Sequence, residues 1–173
     1  LWLPDFRADE RTFQLLTQVS GRAGRSKAEG EVIIQTYNER NFVLKKVFEN
    51  DYAGFYTKEK ADREKMGYPP FTRIALIESK DKNIDKAKGA ITDFYKEIIK
   101  YKKFLKISDP TTAQIFKLMN NYRYHILIKS FKDKDPGGAI LRKAILDSWT
   151  EFNKKSRYRD VNLFYDVDPQ SIM

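Results

Sequence analysis

The sequence predicts an α+β protein whose larger part is a four-stranded antiparallel sheet with two helices on one face. Two observations carry this. After Pro69-Pro70 the apolar residues change period in the order strand, helix, strand, strand, helix, strand, which is the ferredoxin-like βαββαβ arrangement. With 41% hydrophobic and 14% aromatic residues, the chain can fill a core and is not of disordered composition.

The elements follow in order. Asp9 to Val19 has helical spacing, with Phe13, Leu16 and Val19 on one side, and Gly21 and Gly24 are expected to break it. Gly30 supplies a turn, and Val32-Ile33-Ile34 predicts a strand from Glu31 to Tyr37. Asn38 to Met66 reads as one helix, capped by Asn41, weakened at Gly54 and closed by Gly67. Pro69-Pro70 forces extension. Phe71 to Ser79 is then a strand, and Asn83 caps a helix to Tyr101 with Ile84, Ala87, Ile91, Phe94 and Ile98 inward.

Ala113 to Met119 is a second strand, and Asn120-Asn121 reads as the hairpin turn because Asn tolerates positive φ. Tyr122 to Lys129 alternates strictly, with Tyr122, Tyr124, Ile126 and Ile128 on one side and Arg123, His125, Leu127 and Lys129 on the other. Ala139 to Phe152 is a helix burying Leu141, Ala144, Ile145, Ser148 and Phe152, and Val161 to Val167 is the last strand.

Net charge is +9 over 173 residues, and Lys80 to Asp160 holds about 20 Lys+Arg against about 10 Asp+Glu. Such asymmetry is the electrostatic footprint of a nucleic-acid partner, although lysines also serve plain solubility. The absence of cysteine excludes disulfides and thiolate metal sites and is compatible with the cytosol. No apolar run approaches the ~20 residues of a membrane span, and Leu1-Trp2-Leu3-Pro4 lacks a signal-peptide pattern. Leu1 in place of an initiator methionine suggests that the chain begins inside a longer protein.

The densest chemistry lies in Gln18-Val19-Ser20-Gly21-Arg22-Ala23-Gly24-Arg25. Arginine offers a planar fork of donors suited to phosphate oxygens, and small neighbours admit a polyphosphate closely. Alone, Gly21-Arg22-Ala23-Gly24-Arg25 is equally a solvated loop. The pattern Gln-x-x-Gly-Arg-x-Gly-Arg resembles motif VI of superfamily 2 helicases. Pro4-Asp5-Phe6-Arg7-Ala8 and Glu10-Arg11-Thr12-Phe13-Gln14-Leu15-Leu16 lead into it. Asp51-Tyr52, Phe55, Glu59, Arg63, Tyr68-Pro69-Pro70-Phe71 and Asp166-Val167-Asp168-Pro169 follow it. With these, almost the whole chain resembles the C-terminal portion of the PriA (primosomal protein N′) family of replication-restart helicases.

The resemblance implies the remnant of a RecA-like second helicase lobe in residues 1–38, a connecting helix in 39–68 and a C-terminal α/β domain in 69–173. It implies an ATP-dependent 3′→5′ DNA helicase acting in replication restart and primosome assembly. Arg22 and Arg25 would then be arginine fingers on ATP, with Gln18 and Gly21 beside the nucleotide; the other lobe would complete the site, and the intact protein would use Mg²⁺ with the ATP. Neither a phosphate-cradling Gly-x-x-x-x-Gly-Lys-Ser/Thr nor a magnesium-holding Asp-Glu pair occurs, so this chain alone is expected to hydrolyse nothing and to hold no cofactor. The family's zinc ligands are cysteines, which this sequence lacks. Implied partners are forked or single-stranded DNA, the acidic tail of single-stranded DNA-binding protein and other primosome proteins, in a bacterial cytoplasm and without a membrane.

Further candidates come from the sheet. Arg123 and Lys129 share a polar strand side suited to phosphate, and Phe164, in opposite register to Leu163 and Tyr165, is a base-stacking candidate. Tyr122 and Tyr124 read as core, and the lone His125 as a surface or sheet-edge residue. Asp160, Asp166 and Asp168 lack a calcium-loop pattern, so Asp166-Val167-Asp168-Pro169 reads as a strand end that docks the C-terminus. Arg142 and Lys143 open the second helix and could hold a partner's carboxylate. Two other functions fit the same residues: a non-enzymatic nucleic-acid module, and a protein-docking domain without DNA contact.

Overall fold

A computed structural model describes residues 5–23 and 31–170. The chain divides into two compact units at Met66/Gly67.

The first unit contains α1 (Ala8–Ala23), α2 (Phe42–Phe48) and α3 (Tyr52–Met66). Asp5, buried, closes the turn before α1 by accepting the Arg7 N–H at 3.0 Å and also takes Arg11 Nη1 at 3.3 Å. Phe13 stacks on Phe55 with ring centroids 4.3 Å apart, and Val43 completes this small core. Arg63 of α3 donates to Glu10 and Glu59, each at 2.8 Å, and to the Phe6 carbonyl at 3.3 Å. The residues that carried the resemblance therefore fasten α1 to α3.

Three expectations for this unit are corrected. Gly21 does not break α1, which continues to Ala23; a Cβ at Gly21 would meet nothing, and one exposed glycine costs a helix only about 1 kcal/mol. Gly24, Arg25 and Gly30 lie outside the described residues. Glu31 to Tyr37 forms no strand, because a strand needs a hydrogen-bonded neighbour and no described segment supplies one; Ile33 and Tyr37 are exposed. The single helix of 38–66 is two, and the break falls not at Gly54 but at Asn50, where φ is 51°. Asn41 caps α2 through the Val43 and Leu44 N–H groups. Gly54 instead lets Asp51 accept its N–H at 2.8 Å, since a Cβ there would stand 2.2 Å from the carboxylate.

The second unit runs β1 (Thr72–Asp81), α4 (Ile84–Ile98), β2 (Lys106–Ile107), β3 (Thr111–Leu118), β4 (Asn121–Phe131), α5 (Ala139–Lys155) and β5 (Asn162–Val167). All pairings are antiparallel, with β4 and β1 central, β5 beyond β1, and β2 and β3 both along the far side of β4. This is the predicted α+β split, with the two-residue β2 as an unforeseen addition. Between Thr112↔Tyr124 and Lys117↔Tyr122, five steps of β3 oppose two of β4, so the edge strand bulges.

Helices α4 and α5 cover one face, burying Ala75 and Ile77 of β1, Tyr124, Ile126 and Ile128 of β4, and the stripes of both helices. The predicted α5 stripe is wholly buried, whereas Ile84 at the start of α4 is exposed and Ala90 takes a core position. The Asn83 side chain caps α4 through Asp85 N and Lys86 N. Asp135 does the same for α5, accepting from Leu141 N at 3.1 Å, Ile140 N at 3.2 Å and Ser130 Oγ at 2.9 Å. The hairpin turn is Met119-Asn120, one residue earlier than expected, with φ 47° and 62°.

Candidate functional site

Helix α1 presents Gln18, Gly21 and Arg22 to solvent near its C-terminal end. Spacings of three and four residues set them on one side of the helix, and the negative end of the helix dipole favours a cation there. Arg25 lies outside the described residues. Among the described residues no helix is long and apolar enough to cross a membrane, and no three His, Asp or Glu side chains converge as a metal site.

The face of the sheet opposite the helices gathers most of the other predicted residues. Register sets Phe164 beside Glu78 and Lys80 beside Arg123. Arg123 Nε and Nη2 each donate to Glu78 at 2.8 Å, and Nη1 donates to the Ile115 carbonyl at 3.4 Å. Both side chains are nearly buried, 12% and 4% exposed, and the carboxylate holds the guanidinium pKa above its ordinary value. Arg123 thus supports the sheet, and removing one partner of such a pair typically costs about 3–5 kcal/mol.

The cation that sequence reasoning missed is Lys80, whose ammonium lies over the Phe164 ring at 5.3 Å from the centroid. The available signal was the period-two spacing of Glu78 and Lys80, which sets them on one side of β1. Lys129 sits at the other end of the same face, six residues or about 20 Å along β4 from Arg123. It is only 8% exposed, with its ammonium 3.5 Å from the centroid of Tyr68. Burial, and secondarily the charge of Lys106 across the ladder, lowers its pKa to about 8. Lys106, its partner across the ladder, is exposed. His125 is half-buried on central β4, not at an edge; burial pushes its pKa down, and its Nδ1 has no hydrogen-bond partner.

Arg142 lines a cleft of about 440 Å³ between the start of α5 and β5, with Arg73 opposite and Leu141, Ile145, Tyr165 and Val167 as apolar walls. Arg73 is held by the Asp135 and Pro136 carbonyls at 3.0 and 2.7 Å. Lys143 is exposed on the next position of α5. Asp168, at φ 53°, accepts the Ile74 N–H at 3.2 Å, and its own N–H donates to the Ile74 carbonyl at 2.7 Å. Pro169 is buried beside it, so the Asp-Val-Asp-Pro run fastens the chain end to β1.

These features define a basic α+β split domain preceded by a helix bearing an arginine-rich motif. The primosomal protein N C-terminal domain family matches residues 64–170, and the chain belongs to the PriA family. The replication restart protein PriA of Bacillus subtilis is 35% identical over 100% of this chain and 21% of its own length. Those of Thermotoga maritima and Haemophilus influenzae are 38% and 36% identical over 73% and 97% of this chain, and over 17% and 22% of their own lengths. The chain therefore spans about a fifth of the length of the relatives it matches.

Proposed function

We propose that this chain is the part of a bacterial, cytoplasmic replication-restart helicase that completes an ATP site through its first unit and engages DNA and protein partners through its second. In the intact protein Arg22 and Arg25 would lie against the γ-phosphate, with Gln18 and Gly21 lining the nucleotide. ATP with Mg²⁺ would supply the phosphoryl transfer that drives unwinding. The observation that carries this is the exposure of Gln18 and Arg22 on one side of an α1 anchored by Asp5, Arg63 and Phe55. The cysteines that would hold the family's zinc do not occur in this sequence. In the intact protein, Arg25→Ala should cut DNA-stimulated hydrolysis by about 10³ while leaving DNA binding intact. Hydrolysis by the isolated chain, or an unimpaired Arg25→Ala enzyme, would refute the assignment.

The surplus of cations between Lys80 and Asp160 supports binding of forked or single-stranded DNA, with affinity falling steeply as salt rises. A protein-docking role accompanies it at the Arg73/Arg142 cleft. Two guanidinium groups above apolar walls suit a peptide ending in a carboxylate, such as the acidic tail of single-stranded DNA-binding protein or another primosome component, with Lys143 adding charge at the rim. If DNA affinity were absent at low salt, the docking role would stand alone.

A further inference from the structure

The turn joining β3 and β4 departs from two regularities at once. Met119 holds left-handed backbone at φ 47°, a conformation that a two-residue hairpin normally assigns to Asn or Gly and that strains a residue bearing a Cβ. The same side chain is 88% exposed, and Leu118 beside it is 46% exposed. The core gains nothing from this methionine, and the backbone would be easier without it. Its support is stiff: Phe116 packs against Tyr122 and edge-on to Tyr124, and Lys117 lies over Tyr122 at 4.8 Å.

Register shows where the tip stands. Asp81, the last residue of β1, pairs with Tyr122, so the turn projects two to three residues, roughly 7–10 Å, beyond the neighbouring strand. Lys80 near the end of β1, Lys82 just beyond it and Lys117 of β3 flank it. The nearby carboxylates are engaged locally, Asp81 by the Asn83 N–H at 2.7 Å and Glu78 by Arg123. An apolar tip within a collar of ammonium groups suits a polyanion that also offers flat apolar surface. A purely apolar protein patch would leave the lysine charges without a counter-charge, since among the described residues Lys80 and Lys117 meet the rings of Phe164 and Tyr122.

We propose that this end of the sheet is a nucleic-acid contact, in which Leu118 and Met119 stack on an unpaired or terminal base while Lys80, Lys82 and Lys117 hold the flanking phosphates. Exposed Leu and Met are side chains that proteins use as wedges against base steps, and stacking of this kind tolerates any sequence. The inference rests on the DNA-binding reading above.

Met119→Gly separates it from a structural role. Glycine relieves the left-handed strain, so the urea midpoint should rise. Affinity for a fluorescein-labelled single-stranded oligonucleotide, read by anisotropy, should nevertheless fall at least about fivefold, with an unchanged salt slope because no charge is lost. Met119→Asn, which also accepts this backbone, should behave alike. Lys80→Gln with Lys117→Gln should flatten the salt slope by about 1–2. If the unsubstituted chain ignores DNA at low salt, the DNA reading itself falls. If it binds and both Met119 variants bind as tightly as the parent, the tip has no part in binding and this inference is overturned while the DNA reading stands. A loss of affinity accompanied by a lower midpoint would also overturn it.

Discussion

Lys129→Met tests the electrostatics of the sheet face opposite the helices. The ammonium is nearly buried, faces the Tyr68 ring and stands across the ladder from Lys106, and its pKa is lowered from 10.5 to about 8. That difference of about 2.5 corresponds to a ceiling near ~3.5 kcal/mol at about 1.4 kcal/mol per pH unit. Water reaching the amine and screening of the exposed Lys106 reduce this to roughly 1–2 kcal/mol.

The sign follows from the direction of the shift. Below pH 8 the folded and unfolded chains both carry the charge, and the fold bears the full cost. Between about pH 8 and 10.5 the unfolded chain binds a proton that the folded chain has released, so stability climbs with pH. At pH 7 Lys129→Met should therefore match or exceed the parent, by up to ~2 kcal/mol less the lost cation–π contact of about 0.5–2 kcal/mol. Its advantage should shrink steadily toward pH 10.5. Urea unfolding followed by Trp149 fluorescence in a Trp2→Phe background isolates the second unit. A parent–variant difference that stays constant from pH 7 to 10.5 would refute the reasoning.

Gly89→Ala should destabilise the second unit by about 1–3 kcal/mol, because its Cβ would stand 2.3 Å from the Tyr158 ring; Tyr158→Ala in the same chain should recover part of the loss in thermal melts. Asp135→Ala should cost about 1–3 kcal/mol by uncapping α5. Hydrogen bonds from Leu141, Ser130 and Ile140 hold that carboxyl below 3.8 against the opposing effect of burial. Its contribution should thus be complete above that value and vanish as pH falls through the lowered one, an acid sensitivity missing from the variant.

The second unit was legible because its local signals agree. Alternation along β4 assigned Tyr124, Ile126 and Ile128 to the helix side, and the three- and four-residue spacing of Leu141, Ala144, Ile145, Ser148 and Phe152 assigned the buried stripe of α5. Relations between distant residues were not legible. Glu78, 45 residues from Arg123, engages that guanidinium, and Tyr68 receives the Lys129 ammonium; alternation names a face but not the register that decides neighbours. The strand expected at Glu31 to Tyr37 failed for the converse reason, since β propensity expresses itself only against a partner. At Asn50 a left-handed residue ended a helix that spacing alone would have continued.

The tie between Asp168 and Ile74 spans 94 residues of sequence. β1 is made early and finds β4 on one side, but its other flank waits for β5. At roughly 5–20 residues per second of synthesis, about 90 residues take some 5–20 s to emerge. Throughout that interval the nascent sheet offers an open backbone edge to any extended chain nearby. The residues of β5 are thus the ones that close this sheet edge against neighbours on the same message.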